Sequence, residues 1–247
     1  MDINFDYSAY PDYLAHVFTK NNLSEHADPE ICSKLTAFCK YLLEQNQLFN
    51  LTAIKTPESA ALLHFADSLT LAKFVPQNSI VLDIGSGAGF PAIPLAVARP
   101  DLSITALDST QKRIDFINRC AEMLGLTNLK AVCHRAEDVT GKNFKEKFDI
   151  VTARAVASYP ILFELSIPAV KVGGMFVAMK SKDVSRETSG IEKVIKLFGV
   201  DKPVFHNVIL SDAEEEFERS IVTLKKLSQT PPKYPRAYAQ IKKRPVF

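Results

Sequence analysis

Residues 80–91 read Ile80-Val81-Leu82-Asp83-Ile84-Gly85-Ser86-Gly87-Ala88-Gly89-Phe90-Pro91. The first five, apolar but for Asp83, suit a buried parallel strand, and glycine at every second position then turns the chain sharply. Without Cβ atoms, Gly85, Gly87 and Gly89 can take positive φ and let a ligand lie against bare backbone. Residues 92–98 read as a helix whose N-terminus would face that ligand. Strand, glycine turn and helix in this order make a nucleotide-type cofactor site. Dinucleotide-binding folds and methyltransferases share the spacing, so the rest of the chain must decide between them.

Downstream, strand and helix patterns alternate. Strands are expected at 102–107, 129–133, 148–153 and 175–180, with helices over about 109–124, 160–170 and 184–198 between or after them. Ser109 is placed to cap the first of these helices and Gly125 to end it, and Gly173-Gly174 reads as the turn before the fifth strand. Strands at 204–209 and 220–227 close the series. The pattern predicts a seven-stranded, doubly wound, Rossmann-like α/β sheet. Upstream, residues 1–78 lack the alternation and look helical. Asp28-Pro29 is an N-cap and first-turn pair, with Ile31, Leu35, Phe38, Cys39, Leu42 and Leu43 at helical spacing behind it. Thr56-Pro57 repeats the signal for a helix over 60–74, and Tyr7 and Tyr10 open a further one. Three parts are expected: a helical N-terminal cap region (1–78), a cofactor-binding domain (79–229) and a basic Pro/Lys-rich tail (230–247).

The 247 residues suffice for one large α/β domain with a small appendage. No apolar run approaches the length of a membrane span, and the N-terminus has no basic-then-apolar signal pattern; a cytoplasmic protein is expected. Cys32, Cys39, Cys120 and Cys133 are scattered without a CxxC, so reduced thiols are the favoured reading and no metal site is expected. The net charge of +2 announces no partner. Its distribution says more: five acidic residues lie within 212–218, whereas 219–247 holds eight Lys or Arg and no acid. Such a tail can meet phosphates, although solvated surface is the default meaning of a charge run.

In open α/β sheets ligands lie outside the carboxyl ends of the strands, where strand order reverses. After the first strand come Gly85, Gly87, Gly89 and Phe90. Asp108 ends the second, placed to accept from both ribose hydroxyls of an adenosine. After the third, Ala136-Glu137-Asp138 offers a carboxylate or backbone group for an adenine amino group, or simply a helix start. Arg154 ends the fourth, and a guanidinium emerging from an apolar run is costly unless it meets an anion, a π-face or several carbonyls. Lys180 and Lys182 end the fifth and could steer phosphates, or be ordinary exposed lysines. His64 and Asp67, three apart on one helix face, could hydrogen-bond each other, close the pocket or serve packing.

Taken together these residues resemble the RsmG (GidB) family, bacterial 16S ribosomal RNA guanine-N7 methyltransferases that use S-adenosylmethionine. Asn50-Leu51-Thr52-Ala53-Ile54 is similar to the family's NLT motif and His64-Phe65-Ala66-Asp67-Ser68-Leu69 to its HxxDSL. Residues 81–96, with a GxGxGFPxIPLA core, form the most specific match. Leu107-Asp108-Ser109 with Lys112-Arg113 and Phe116 resembles LDSxxKRxxF. Phe148-Asp149 with Arg154-Ala155-Val156-Ala157 resembles FDxxxxRAxA, and Lys233-Tyr234-Pro235-Arg236 the tail of many members. The resemblance implies cofactor contacts at Gly85, Phe90, Ala136, Glu137 and Arg154, with the last near the methionyl carboxylate or the substrate. Ala92 replaces a usual second glycine after Phe-Pro, and the tail after Arg236 departs from the family's Lys-x-Gly-x-Pro, which leaves its docking or RNA role open.

The implied partner is 16S RNA, the small subunit or an assembly intermediate, with a monomeric enzyme, no membrane and no metal. Guanine N7 bears a lone pair and no proton, so Arg154 is expected to orient substrate or cofactor, with His64, Lys180 and Lys182 as RNA candidates and no general base. Three alternatives share features of the chain. A small-molecule methyltransferase would share the cofactor half. A nicotinamide-dependent dehydrogenase would use the same turn, but Phe90 stands at the place of the last glycine of GxGxxG. An RNA-binding module would bind in a salt-dependent manner without transferring methyl groups.

Overall fold

Successive strand residues face opposite sides of a sheet, and in this chain that rule sorts the side chains into two cores. The computed structural model describes residues 5–140, 143–154, 157–181, 184, 186–212 and 215–247. Seven strands, β1 (Ile80–Ile84), β2 (Ser103–Asp108), β3 (Leu129–Cys133), β4 (Phe148–Arg154), β5 (Val170–Ser181), β6 (Val204–Ser211) and β7 (Glu216–Lys225), form one sheet in the order β3-β2-β1-β4-β5-β7-β6. β1 to β5 pair in parallel, and β7 lies antiparallel to both β5 and β6. The chain winds outward to β3 and returns to β4 beside β1, so the strand order reverses between β1 and β4. The expected doubly wound sheet is present. Its last two strands, however, form an antiparallel pair with no helix between them and are not a further βα unit.

Helices α1 (Tyr10–Lys20) and α2 (Pro29–Phe49) precede the sheet, and Asp28 caps α2 by accepting from the Glu30 and Ile31 amides at 2.8 and 3.3 Å. The segment expected as one helix over 60–74 is wound unevenly. α3 (Pro57–Ala60) passes through a π-wound stretch, Ala61–Ala66, into α4 (Asp67–Leu69), and Ala72–Phe74 is a separate 3₁₀ turn. α5 (Ala92–Ala98), α6 (Gln111–Leu124), α7 (Ala136–Val139) and α8 (Tyr159–Ser166) follow β1 to β4. α9 (Ile195–Phe198) and α10 (Tyr238–Lys243) lie before β6 and in the tail. Gly125 ends α6 in the left-handed conformation, φ 65°. Ser109 does not cap that helix: Thr110 holds the position, and its amide donates to Asp108 Oδ1 at 2.9 Å. The helix expected over 184–198 is broken, because Gly190 at φ 90° admits only a 3₁₀ turn at Ile191–Lys193 and the single turn of α9.

One core lies between the sheet and α1, α2, α5 and α6, and includes Val81, Ile104, Ile150, Val177, Met179 and Ile221. The other lies under α8, α9 and the tail, with Leu82, Ile84, Val151, Ala153, Phe176, Ala178 and Val222. The period of two therefore sends Asp83, Thr152 and Arg154, whose neighbours Val81 and Ile150 lie in the first core, toward the N-terminal helices. Arg219 follows by the same count from Ile221. Phe38 of α2 reaches Phe90 and Phe116, with ring centroids 5.3 and 6.3 Å apart, and ties the N-terminal helices to the glycine turn.

Gly173-Gly174 lies inside β5 and is not the turn before it. A Cβ on Gly174 would stand 2.5 Å from the Asp149 carbonyl oxygen and 3.1 Å from that of Lys171. Both are backbone atoms of a parallel pair and cannot rotate away. Gly174→Ala is expected to cost about 1–3 kcal/mol by overpacking, read as a lower midpoint in urea unfolding with unchanged slope.

Candidate functional site

The loop after β1 is held to β2 before any ligand is considered. The Gly85 and Ser86 amides donate to the Leu107 carbonyl at 2.7 and 3.0 Å, and the Gly89 and Phe90 amides to that of Ser86 at 2.8 and 2.9 Å. Gly85, Gly87 and Gly89 have φ of 70°, 57° and 90°, the left-handed region that glycine enters without penalty. Beyond the loop, at the carboxyl ends of β1, β2 and β4, opens a cavity of ≈ 550 Å³, within the usual range for small-molecule sites of about 300–1,000 Å³.

Gly85, Gly87, Phe90, Asp108, Ala136, Glu137, Arg154 and His64 all line this cavity. Gly89 does not. A Cβ there would meet Ile93 Cδ1 at 2.3 Å and Ile117 Cγ1 at 3.5 Å, so this glycine faces the first core and makes room for α5 and α6. Nor does the N-terminus of α5 face the cavity: Ala92 is fully buried, and the Ile93 amide donates back to the Gly89 carbonyl at 2.7 Å. Lys180 lies elsewhere, its Nζ 2.7 Å from Glu187 Oε2 and 3.2 Å from the Ala157 carbonyl, so it is not a free rim cation. Lys182 lies outside the described residues.

Asp108 is more engaged than its place at a strand end suggests. Its Oδ2 accepts from the Gly87 amide at 3.0 Å and from Arg113 Nη1 at 3.3 Å, and its Oδ1 from the Thr110 amide. A carboxylate has roughly four acceptor sites and three are in use, so Asp108 braces the glycine turn and has room for two further donors only if the half-exposed Arg113 yields. Thr52, Arg113 and Tyr238 also line the cavity. Thr52 and Arg113 stand in the motif-like stretches at 50–54 and 107–116 but carried no site role there, and Tyr238 comes from the distant tail.

Arg154 explains how a guanidinium can leave an apolar strand. Its Nη1 donates to Asp67 Oδ2 at 2.9 Å and to the Leu63 carbonyl at 3.0 Å, its Nη2 meets His64 Nδ1 at 3.1 Å, and its Cζ lies 5.1 Å from the centre of the Phe90 ring. Widened winding displaces carbonyls from the ordinary helical ladder, and the Leu63 carbonyl belongs to the π-wound stretch. The His64 and Asp67 side chains thus do not bond each other but hold Arg154 from two sides. Arg154 has no acceptor atoms, so His64 Nδ1 must be the unprotonated nitrogen, and Nε2–H donates to Thr52 Oγ1 at 2.8 Å. Thr52 is itself clamped by Asn46, which accepts from its amide at 2.8 Å and donates to its carbonyl at 2.9 Å. Burial, reinforced by the Arg154 charge, lowers the His64 pKa to about 3. The imidazole is neutral near pH 7 and stacks on Phe90 with centroids 4.1 Å apart.

Asp83, directly below the loop, accepts from Thr152 Oγ1 at 3.1 Å, while its Oδ2 is buried without a hydrogen-bond partner. Burial pushes its pKa up to about 7 against the pull of Ser86 and Thr152. A carboxyl whose folded pKa is raised adds stability below its unfolded pKa and loses it as pH rises through the folded one. Stability should therefore erode between about pH 4 and 7 on account of Asp83. Asp83→Asn should come close to the parent at pH 4 and gain on it steadily up to pH 8, by on the order of a few kcal/mol, read from thermal melts; an equal difference at pH 4 and pH 8 would refute the assignment.

The tail, whose departure from the family pattern left its docking open, is docked. Tyr234 is buried against Phe198 with centroids 4.4 Å apart, and Arg236 donates from N, Nε and Nη2 to Glu164 at 2.9, 2.8 and 2.6 Å. Among the described residues no group of His, Cys, Asp or Glu side chains could hold a metal ion, and no helix is long and apolar enough to cross a membrane. All four cysteines are unpaired.

A family model described as rRNA small subunit methyltransferase G matches residues 31–215. A Desulforamulus reducens protein named ribosomal RNA small subunit methyltransferase G is 42% identical over 216 residues, covering 85% of this chain and 89% of its own. A protein of the same name from Oceanobacillus iheyensis is 41% identical over 242 residues, covering 96% and 99%. Among solved structures, M. jannaschii TYW2 in complex with AdoMet superimposes with a TM-score of 0.51 at 15% identity, covering 65% of this chain and 75% of that one, a likeness of fold alone.

Proposed function

The chain belongs to the rRNA small subunit methyltransferase G family, and from that premise we propose that it methylates N7 of a guanine in 16S ribosomal RNA from the cavity at the ends of β1, β2 and β4. It is an S-adenosylmethionine-dependent methyltransferase. The observation that carries the assignment to this cavity is the convergence on it of the glycine turn, Asp108, Glu137 and Arg154 from four different strand ends. The cavity fits the cofactor in size and in chemistry: bare backbone at Gly85 and Gly87, an aromatic wall at Phe90, and carboxylates for polar groups. In this reading Asp108 takes the ribose hydroxyls once Arg113 gives way, Ala136 and Glu137 meet the adenine, and Arg154 faces the methionyl carboxylate or the entering base.

When bound, S-adenosylmethionine supplies an electrophilic methyl whose C–S bond breaks with its electron pair left on sulfur. Guanine N7 forms the new bond with its own lone pair and loses no proton, so no base is required of the protein. The residues then act by alignment, holding nucleophile and methyl roughly 3–3.5 Å apart, and by excluding water. A neutral His64 suits this role, since it shapes the wall without adding a charge beside Arg154. RNA affinity would come from Lys and Arg meeting phosphates, with Lys242, Lys243 and Arg244 exposed on the tail. Residues 1–78 would roof the site, 79–229 bind the cofactor and 230–247 approach the RNA, in a cytoplasmic monomer.

Transfer of labelled methyl from S-adenosylmethionine to undermethylated small-subunit RNA, followed by mapping of the product, tests the reading. One N7-methylated guanine is expected. Transfer to a metabolite with none to RNA would overturn it.

A further inference from the structure

A second cavity, of ≈ 400 Å³, lies behind Arg154 and is lined by Ile54, Leu63, Asp67, Met179, Lys180 and Arg219 together with Arg154 itself. Arg154 lines both cavities and so forms the wall they share. The register of the sheet builds this arrangement. Arg154 pairs with Met179 across β4 and β5, and Ser181 pairs with Arg219 across β5 and β7. Arg154, Met179 and Arg219 therefore stand on one face at the strand ends, turned toward α3 and α4.

Asp67 connects the two guanidiniums. Only 4% exposed, it holds Arg154 Nη1 through Oδ2 at 2.9 Å, and Arg219 Nε lies 3.3 Å from its Oδ1. The Oδ1 contact is one of charge without hydrogen-bond alignment. Arg219, its side chain 27% exposed, is held by this contact at Nε and by a hydrogen bond from Nη1 to the Glu218 carbonyl at 3.1 Å, and the guanidinium so positioned borders the cavity. Lys180 is committed to Glu187 and the Ala157 carbonyl. Ile54, Leu63 and Met179 supply apolar surface suited to the faces of a flat ring.

We infer that this second cavity receives the acceptor guanine and that Arg219 donates to its O6, so that Arg219 determines the choice of base. The inference rests on the guanine-N7 reading above. N7 must keep its lone pair free for the methyl, so the donor that orients the base has to bind elsewhere, and O6 is the neighbouring acceptor on the same edge. Adenine presents an amino group there, which faces the guanidinium donor to donor. A base held by O6 against Arg219 turns N7 toward the shared wall and the first cavity. The Asp67 carboxylate, between two cations, holds both and offsets their charge as the base becomes cationic.

The test uses undermethylated 16S RNA rebuilt by splinted ligation with guanine or 2-aminopurine at the mapped position. 2-Aminopurine keeps N7 and lacks O6. A site built to donate to a substrate oxygen rejects an analogue without it strongly. Wild-type enzyme should lose about 100-fold or more in kcat/KM on the analogue. Arg219→Met should lose a similar factor on guanine, show little further loss on 2-aminopurine, and bind S-adenosylmethionine within about three-fold of wild type. Arg219→Lys, which keeps the charge but not the fork, should recover part of the rate on guanine. Equal rates of wild type on both RNAs, or an unchanged analogue penalty in Arg219→Met, would overturn the subsite. Failure of wild type on guanine RNA itself would instead overturn the N7 reading, and the subsite with it.

Discussion

Replacing Arg154 by alanine is expected to reduce methyl transfer at least about 100-fold, the scale of loss when reacting groups are misplaced by about 1 Å. The expectation rests on where the side chain ends. It binds Asp67, the Leu63 carbonyl and His64, covers the Phe90 ring, and separates two cavities. Its removal leaves Asp67 buried with only the offset contact to Arg219, and frees His64 from the group that sets its orientation. Breaking a buried pair by deleting one partner typically costs about 3–5 kcal/mol, so a lower melting temperature should accompany the loss of activity. Arg154→Lys should not restore the rate, because one ammonium cannot reach acceptors arranged for a planar fork. S-adenosylmethionine titration, transfer assays and thermal melts on both variants separate these effects. Unchanged cofactor binding and unchanged transfer in Arg154→Ala would refute the proposed role.

Arg236→Ala is expected to be the most destabilising change outside the strand ends. Glu164 is 0% exposed and accepts all three of its bonds from Arg236. Alanine keeps the backbone bond and deletes both side-chain bonds, stranding a carboxylate in the second core at a cost of about 3–5 kcal/mol. At about 2–4 °C per kcal/mol for a chain of this size, the melting temperature should fall by roughly 10 °C. Adding Glu164→Gln to Arg236→Ala should recover part of it, because the stranded charge is then gone, whereas two independent losses would simply add. Tyr238, two residues on, lines the first cavity, so weaker S-adenosylmethionine binding should accompany the looser tail.

Much of the first cavity was legible in the chain, for a physical reason. A cofactor that lies on backbone requires glycines at a strand end, and strand, turn and helix are contiguous in sequence. Strand ends fall at known positions, so Asp108, Glu137 and Arg154 could be named without knowing how the strands pack. The errors fell where tertiary contacts override local signals. Gly89 has the spacing of a ligand-facing glycine, yet Ile93 and Ile117 claim the space beside it. Lys180 ends its strand and lines the second cavity, but Glu187 and the Ala157 carbonyl engage its ammonium, which strand position alone does not reveal. His64 and Asp67 have the spacing of a mutual pair, but Arg154 comes between them.

By itself the sequence determined the sheet, its seven strands and the glycine-bounded site, because alternation and turn chemistry act over a few residues. It also carried the family, through motifs contiguous enough to be recognised in a single chain. Only the tertiary structure decided which groups meet. Asn46, Thr52, His64, Arg154, Asp67 and Arg219 form one connected line from α2 to β7. Its members come from four separate stretches of chain, brought together by sheet register and π winding. No local pattern encodes such a line, since each of its bonds depends on the packing of elements far apart in sequence.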